Sequence, residues 1–177
     1  MAVHTVAMLF LAALGSVRAF PNRLTLGVDY YPEAWDRTTW ESDARAMAAA
    51  GISTVRVAEF AWHLFQPNAT STFQFDWLDT ALAILASHNI SAIVGTPTAS
   101  PPAWLIAADP SIQLVDPTGI PYRYGSRCNA NHLHPAFRKA ATAIATAIGE
   151  HYANDPRVVA FQIDNEISVG ICIFMAF

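Results

Sequence analysis

A carboxylate beside an amide stands near the carboxyl end of this chain, in the stretch Gln162-Ile-Asp-Asn-Glu166. It follows the apolar, β-branched run Val158-Val-Ala-Phe161, which reads as a strand, so Glu166 is expected just past that strand's carboxyl end. In sheets of parallel strands closed by helices, that edge is where reactive side chains collect. A carboxylic acid there can protonate a departing oxygen, and Asn165 beside it can hydrogen-bond a sugar hydroxyl. The pair therefore suits the proton donor for cleavage of a glycosidic bond. A second reading stays open: a Glu shortly after a strand is also common in the first turn of the next helix, where the macrodipole favours it.

Alternating strand and helix patterns would position these groups. Leu24 to Asp29 reads as a first strand and Thr54 to Val57 as a second. Ile90 to Val94, closed by Gly95, reads as a third, and Val158 to Ile163 as a fourth. A helix is expected from Thr38 or Thr39 to about Ala50, stopped by Gly51, with Thr38 and Glu41 as a capping box. Trp40, Ala44, Met47 and Ala48 would line its buried face. A second helix runs from Asp76 to about His88, with Leu78, Leu82, Leu85 and Ala86 on one side. A third begins at Pro135, suited to the first helical position, and ends near Ala153. The segment between Thr96 and Leu133 is rich in Pro, Gly and Tyr, with one short helix expected at Pro102 to Ala107. Strands separated by helices imply βαβ units and a parallel sheet, an α/β fold.

The loops after the first three strands carry the unusual residues: Tyr30, Tyr31, Glu33, Trp35, Glu59, Trp62, Trp104 and Arg127. With Tyr122 and Tyr124 they form a set of aromatics and hydrogen-bonding groups suited to sugar rings, although any one of these aromatics taken singly is more readily a packing residue. Arg56, on the second strand, should face opposite to Val55 and Val57. An Arg turned towards a sheet interior needs a partner, and Glu59 is the nearest in sequence.

Composition narrows the class. The 177 residues suffice for one ordinary domain, and 53% hydrophobic with 14% charged residues excludes disorder. A net charge of −4 and the lack of any basic run argue against nucleic acid as a partner. Residues 1–19 read as a signal peptide, with an apolar run from Val6 to Leu14 and small residues flanking Arg18 in Val17-Arg-Ala19. The run is too short to span a membrane, so a secreted, extracellular protein is expected. The sequons Asn68-Ala-Thr70 and Asn89-Ile-Ser91 agree with export. The two cysteines, Cys128 and Cys172, are compatible with one disulfide or with two thiols.

Six strings occur in order: GVDYYPEAW from Gly27, VRVAEFAWHLFQP from Val55, FQFDWLD from Phe73, GTPTASPPAWL from Gly95, YGSR from Tyr124 and FQIDNE from Phe161. Together they resemble the N-terminal part of glycoside hydrolase family 42, the β-galactosidases, across Leu24 to Ile167. The resemblance implies a catalytic (β/α)₈ TIM barrel, present here as about its first four βα units. It also implies hydrolysis of terminal β-D-galactosides with retention of configuration. By the same resemblance Glu166 is the acid/base, Asn165 a ligand of the sugar, and Arg127 part of the galactose subsite. The family's nucleophilic Glu follows strand seven, and no segment of this chain matches it. A retaining mechanism needs that second carboxyl about 5–5.5 Å from the first. The remaining candidates are Asp29, Glu33, Glu59 and Asp164, and Glu59 is expected either to support the site or to play a purely structural part, rather than to attack.

The resemblance breaks in two places. Cys128 stands where many members have a second Arg, and Asn131 where they have a zinc-binding Cys, so no zinc site is expected. His132 and His134 then read as loop residues, and no organic cofactor is implied. Residues 20–167 are expected to form the N-terminal half of the barrel, and the apolar residues 168–177 to be an aberrant tail. The expected activity is that of a secreted β-galactosidase acting on β-galactosides, truncated and inactive alone. The alternative is a non-catalytic fragment with at most weak sugar binding. The sequence does not fix the oligomeric state.

Overall fold

The computed structural model describes residues 25–125 and 127–166. Four parallel strands, β1 (Gly27–Asp29), β2 (Thr54–Val57), β3 (Ser91–Gly95) and β4 (Val158–Gln162), form one sheet in that order. Three long helices separate them: α1 (Trp40–Ala49), α3 (Asp76–Ser87) and α5 (Pro135–Tyr152). Two short helices, α2 (Trp62–Phe65) and α4 (Ala103–Ala108), lie in the loops after β2 and β3. This is the expected α/β architecture, three βα repeats and a fourth strand, with strand neighbours in sequence order. Among the described residues no helix is long and apolar enough to cross a membrane.

Period decides which side chains are buried. Alternate residues of a strand face opposite sides, so Val55 and Val57 on β2 and Ala92 and Val94 on β3 all turn towards the helices and are buried. Helical spacing brings Leu78, Leu82 and Leu85 of α3 and Ile144, Ile148 and Tyr152 of α5 to meet them in one apolar cluster. On α1, Trp40 and Ala44 are buried while Met47 and Ala48 are partly so. Arg157, just before β4, pairs with Asp155 at 2.6 Å and donates to the Asp79 carbonyl of α3 at 3.1 Å.

Two local expectations are corrected. The capping box at Thr38 and Glu41 does not form. Asp36 instead accepts from the Thr38 backbone N–H at 2.9 Å and caps the 3₁₀ turn Arg37–Thr39 that leads into α1. Strand β1 is also shorter than expected, beginning at Gly27. Pro135 stands at the start of α5 as anticipated, and His134 caps it by accepting from the Ala136 N–H at 3.3 Å. The leader 1–19, the tail 168–177 and Cys172, and with it any pairing to Cys128, lie outside the described residues.

Candidate active site

The other face of the sheet carries charge. Register pairs Arg56 of β2 with Asp29 of β1 on one side and Ile93 of β3 on the other, the row opposite to Val55 and Val57. The Arg56 guanidinium reaches Asp29 at 2.8 Å and Glu59 at 2.9 Å, and its Nη1 donates to Gln162 Oε1 at 3.1 Å. Partial burial works against its charge, but the Tyr31 hydroxyl and the carboxylates of Glu59 and Asp29 outweigh it, so its pKa is raised. Tyr31 donates to Glu59 Oε1 at 2.9 Å. Glu59 is fully buried, and Arg56 is the cation that makes this tolerable.

Backbone geometry sets Glu59 in place. The chain leaves β2 through Ala58 at φ 73°, a left-handed conformation that is costly for a residue with a Cβ. Opposite, Gly95 ends β3 so close that a Cβ there would stand 2.8 Å from Glu59 Cα and 3.1 Å from its N. Only glycine fits. Nearby Glu33 is forced up to about 7 by burial, partly offset by its own backbone hydrogen bond, with the negative charge of Glu59 adding to the rise.

Glu166 lies four residues past β4 and pairs with Arg127 from the loop after β3, Nη2 to Oε2 at 2.7 Å. Both side chains are roughly half-exposed, which leaves them open to a ligand. Arg127 also sits over the Phe60 ring at 5.6 Å, and Phe60 packs against Tyr31. A cavity of about 270 Å³ opens between these loops, with Phe60, His63, Pro101, Tyr124 and Arg127 among its walls.

Asn165 is buried. Its Oδ1 accepts from Gln162 Nε2 at 3.1 Å, and the same nitrogen donates to the Asp164 carbonyl at 2.7 Å. The turn is pinned by Thr96, whose hydroxyl accepts from the Asp164 N–H at 2.7 Å, and by the Asp164 carboxylate, which accepts from the Asn165 N–H at 2.6 Å. Asp164 and Glu166 both take positive φ, 57° and 52°, so this stretch is a tight turn.

The structure divides the aromatic set. Tyr31 and Tyr124 stand at the site. Trp62 does not: it is fully buried and packs against Phe137. Tyr30 is buried and donates to Asp43, and burial together with that carboxylate raises its pKa. Trp104 donates its indole N–H to the Gln66 carbonyl, Tyr122 accepts from Gln113 through its carbonyl, and Trp35 lines a separate cavity of about 500 Å³ against α1. Phe60 and Gln162 were missed as site residues, since neither a lone Phe nor a Gln on a strand announces a role in sequence. Among the described residues no three His, Cys, Asp or Glu side chains converge as a metal ion would require. His132 packs on Phe137 and lies 3.5 Å from Asp164.

The chain matches the glycoside hydrolase family 42 pattern, described as β-galactosidase, over residues 29–175. It belongs to that family. It is 45% identical over 141 residues to the β-galactosidase BgaA of a Thermus species, covering 80% of this chain and 22% of that protein. It is 42% identical over 143 residues to the β-galactosidase Bga of Halorubrum lacusprofundi, covering 81% of this chain and 20% of the relative. The solved structure of the Halorubrum β-galactosidase superposes with a TM-score of 0.78 over 82% of this chain and 22% of that one. That of the psychrophilic Marinomonas ef1 β-galactosidase does so with the same score, at 38% identity, over 82% and 22%. The family 42 chain thus spans about a fifth of the length of these relatives, and its four parallel strands with their crossover helices are part of their barrel fold.

Proposed function

We propose that this chain carries the acid/base half of a β-galactosidase site that hydrolyses terminal β-D-galactosides with retention. The observation that carries the reading is the Glu166–Arg127 pair, 2.7 Å apart and accessible, at the carboxyl edge of the sheet beside a polar cavity. Glu166 gives its proton to the glycosidic oxygen as the bond to the anomeric carbon breaks, and the Arg127 guanidinium is then the counter-ion of the carboxylate left behind. In the second half of the reaction the Glu166 carboxylate takes a proton from water. Asn165 hydrogen-bonds the sugar 2-hydroxyl and Arg127 another hydroxyl.

The attacking carboxylate has no free candidate among the described residues. Asp29 and Glu59 are committed to Arg56, and Asp164 to its own turn. Glu33 is half-buried, and burial favours its neutral form. These commitments support a chain that turns over no galactoside by itself. A second reading, a non-catalytic chain with weak sugar binding, is favoured by the apolar side chains left exposed along the edges, Leu26 and Val28 beside and on β1, Phe161 and Ile163 on and beyond β4. Export is part of the proposal, on the apolar run Val6 to Leu14 and the exposed sequon residues Asn68 and Asn89.

The test is a galactosidase assay on Phe20 to Phe177, alone and co-expressed with the part of the Thermus relative that lies outside the matched segment. The chain alone should be inactive. The combination should hydrolyse galactosides, and Glu166→Gln should cost roughly a hundredfold or more with poor leaving groups and much less with activated aryl galactosides. Turnover by the chain alone, lost in Glu166→Gln, would place the nucleophile within these residues. A folded complex that neither binds nor cleaves galactosides would remove the galactosidase reading.

A further inference from the structure

The orientation of the Gln162 amide is forced by chemistry. Arg56 can only donate, so the atom 3.1 Å from its Nη1 must be the Gln162 oxygen. That turns Nε2 towards two acceptors, the Asp164 carbonyl at 2.7 Å and Asn165 Oδ1 at 3.1 Å. Reversing the amide would set oxygen against oxygen twice and nitrogen against guanidinium once. Arg56 is itself fixed by Asp29 and Glu59.

The consequence passes to Asn165. With its oxygen engaged by Gln162, its Nδ2 is the end that remains. That nitrogen is buried and has no partner among the described residues. A buried donor without an acceptor is rare in native structures and asks for a ligand or other group to accept from it.

We propose that Gln162 is a positioning residue that sets the polarity of Asn165, so that Asn165 meets the substrate as a hydrogen-bond donor to a sugar hydroxyl oxygen. The relay runs from the Asp29 and Glu59 carboxylates through Arg56 and Gln162 to Asn165. The hydroxyl it recognises accepts from Asn165 and must place its own proton elsewhere. This inference rests on the reading of Asn165 as a sugar ligand.

Gln162→Glu is the discriminating variant. The new carboxylate still accepts from Arg56, but it confronts the Asn165 oxygen with another acceptor. Asn165 should rotate its amide and present oxygen to the substrate. The first measurement needs no variant: in the labelled 177-residue chain, nuclear magnetic resonance should detect coupling across the hydrogen bond from Gln162 Nε2 to the Asn165 side-chain carbonyl carbon. Its absence from the folded chain would overturn the proposal. In Gln162→Glu the Asn165 amide protons should exchange with water about tenfold more slowly than in the parent chain, because they now donate to the carboxylate. Unchanged exchange would overturn the proposal.

The functional measurement uses the active combination described above, with an aryl β-galactoside and its 2-deoxy analogue. The parent should prefer the hydroxylated substrate, and Asn165→Ala should reduce that preference about tenfold, the scale of one neutral hydrogen bond. Gln162→Glu should reduce it to within about threefold of the Asn165→Ala value, whereas loss of packing alone would lower both rates together. A folded complex that neither binds nor cleaves galactosides removes the galactosidase reading. Turnover with an unaltered preference in Gln162→Glu removes only the role of Gln162.

Discussion

On the helix-covered face of the sheet, Val55, Val57, Ala92 and Val94 are each at most 1% exposed, whereas on the opposite face Arg56 keeps 27% of its side chain in contact with solvent. The two faces belong to the same strands, one residue apart. The covered face holds the fold together by removing apolar surface from water, at roughly 25 cal/mol per Å². The other face is held by ion pairs and amide contacts, whose net worth is smaller because each group gives up hydration to make them. Stability is concentrated on one side and chemistry on the other, and both depend on the period of two along a strand.

Three substitutions sharpen that contrast. The largest effect is expected on the covered face, where Leu82 is 1% exposed at the centre of α3. Leu82→Ala should cost about 2–5 kcal/mol in denaturant unfolding. A loss below about 1 kcal/mol would mean that the helices do not stabilise this sheet as described.

Next comes Glu33, at the rim of the polar face. Its folded pKa of about 7 lies above the ordinary 4.5, because burial disfavours the ionised form. The folded state therefore holds a proton that the unfolded chain has already released between those values, and stability falls as pH rises from about 4.5 to 7. The shift corresponds to at most roughly 3 kcal/mol. Glu33→Gln should match the parent near pH 4 and exceed it at pH 8 by up to that amount. Parallel stability curves for the two proteins would show that Glu33 is not buried as a carboxyl.

The smallest effect is expected at the uncovered edge. Ile163 is 74% exposed just past β4, so Ile163→Ser should change stability by less than about 0.5 kcal/mol. A larger loss in the 177-residue chain would show that this edge is buried against something in solution.

Much of this organisation was legible in the sequence because it rests on local periodicity. Thr54 to Val57 forms β2 as expected, and the Leu78, Leu82 and Leu85 stripe meets the core. The direction of Arg56 followed from alternation alone. The failures concern short turns and loops, which no fixed period describes. The four-residue helix Trp62–Phe65 has no capping signal. Trp62 entered the aromatic set because it lies in the loop after β2, but the chain turns at Ala58 and buries it against Phe137. The Thr38 side chain does not cap α1 because Asp36 accepts from both its backbone N–H and its hydroxyl.

The sequence by itself determined the family, the alternation of strand and helix, and the placement of Glu166 beyond a strand end, since each is written in residue strings or in a fixed period. Only the tertiary structure decided that Arg127 meets Glu166, that Arg56 is shared by Asp29, Glu59 and Gln162, and that Asn165 is turned by Gln162. Those partners lie up to 106 positions apart along the chain. Only parallel strand pairing, with the crossover helices packed against the sheet, brings them within hydrogen-bonding distance.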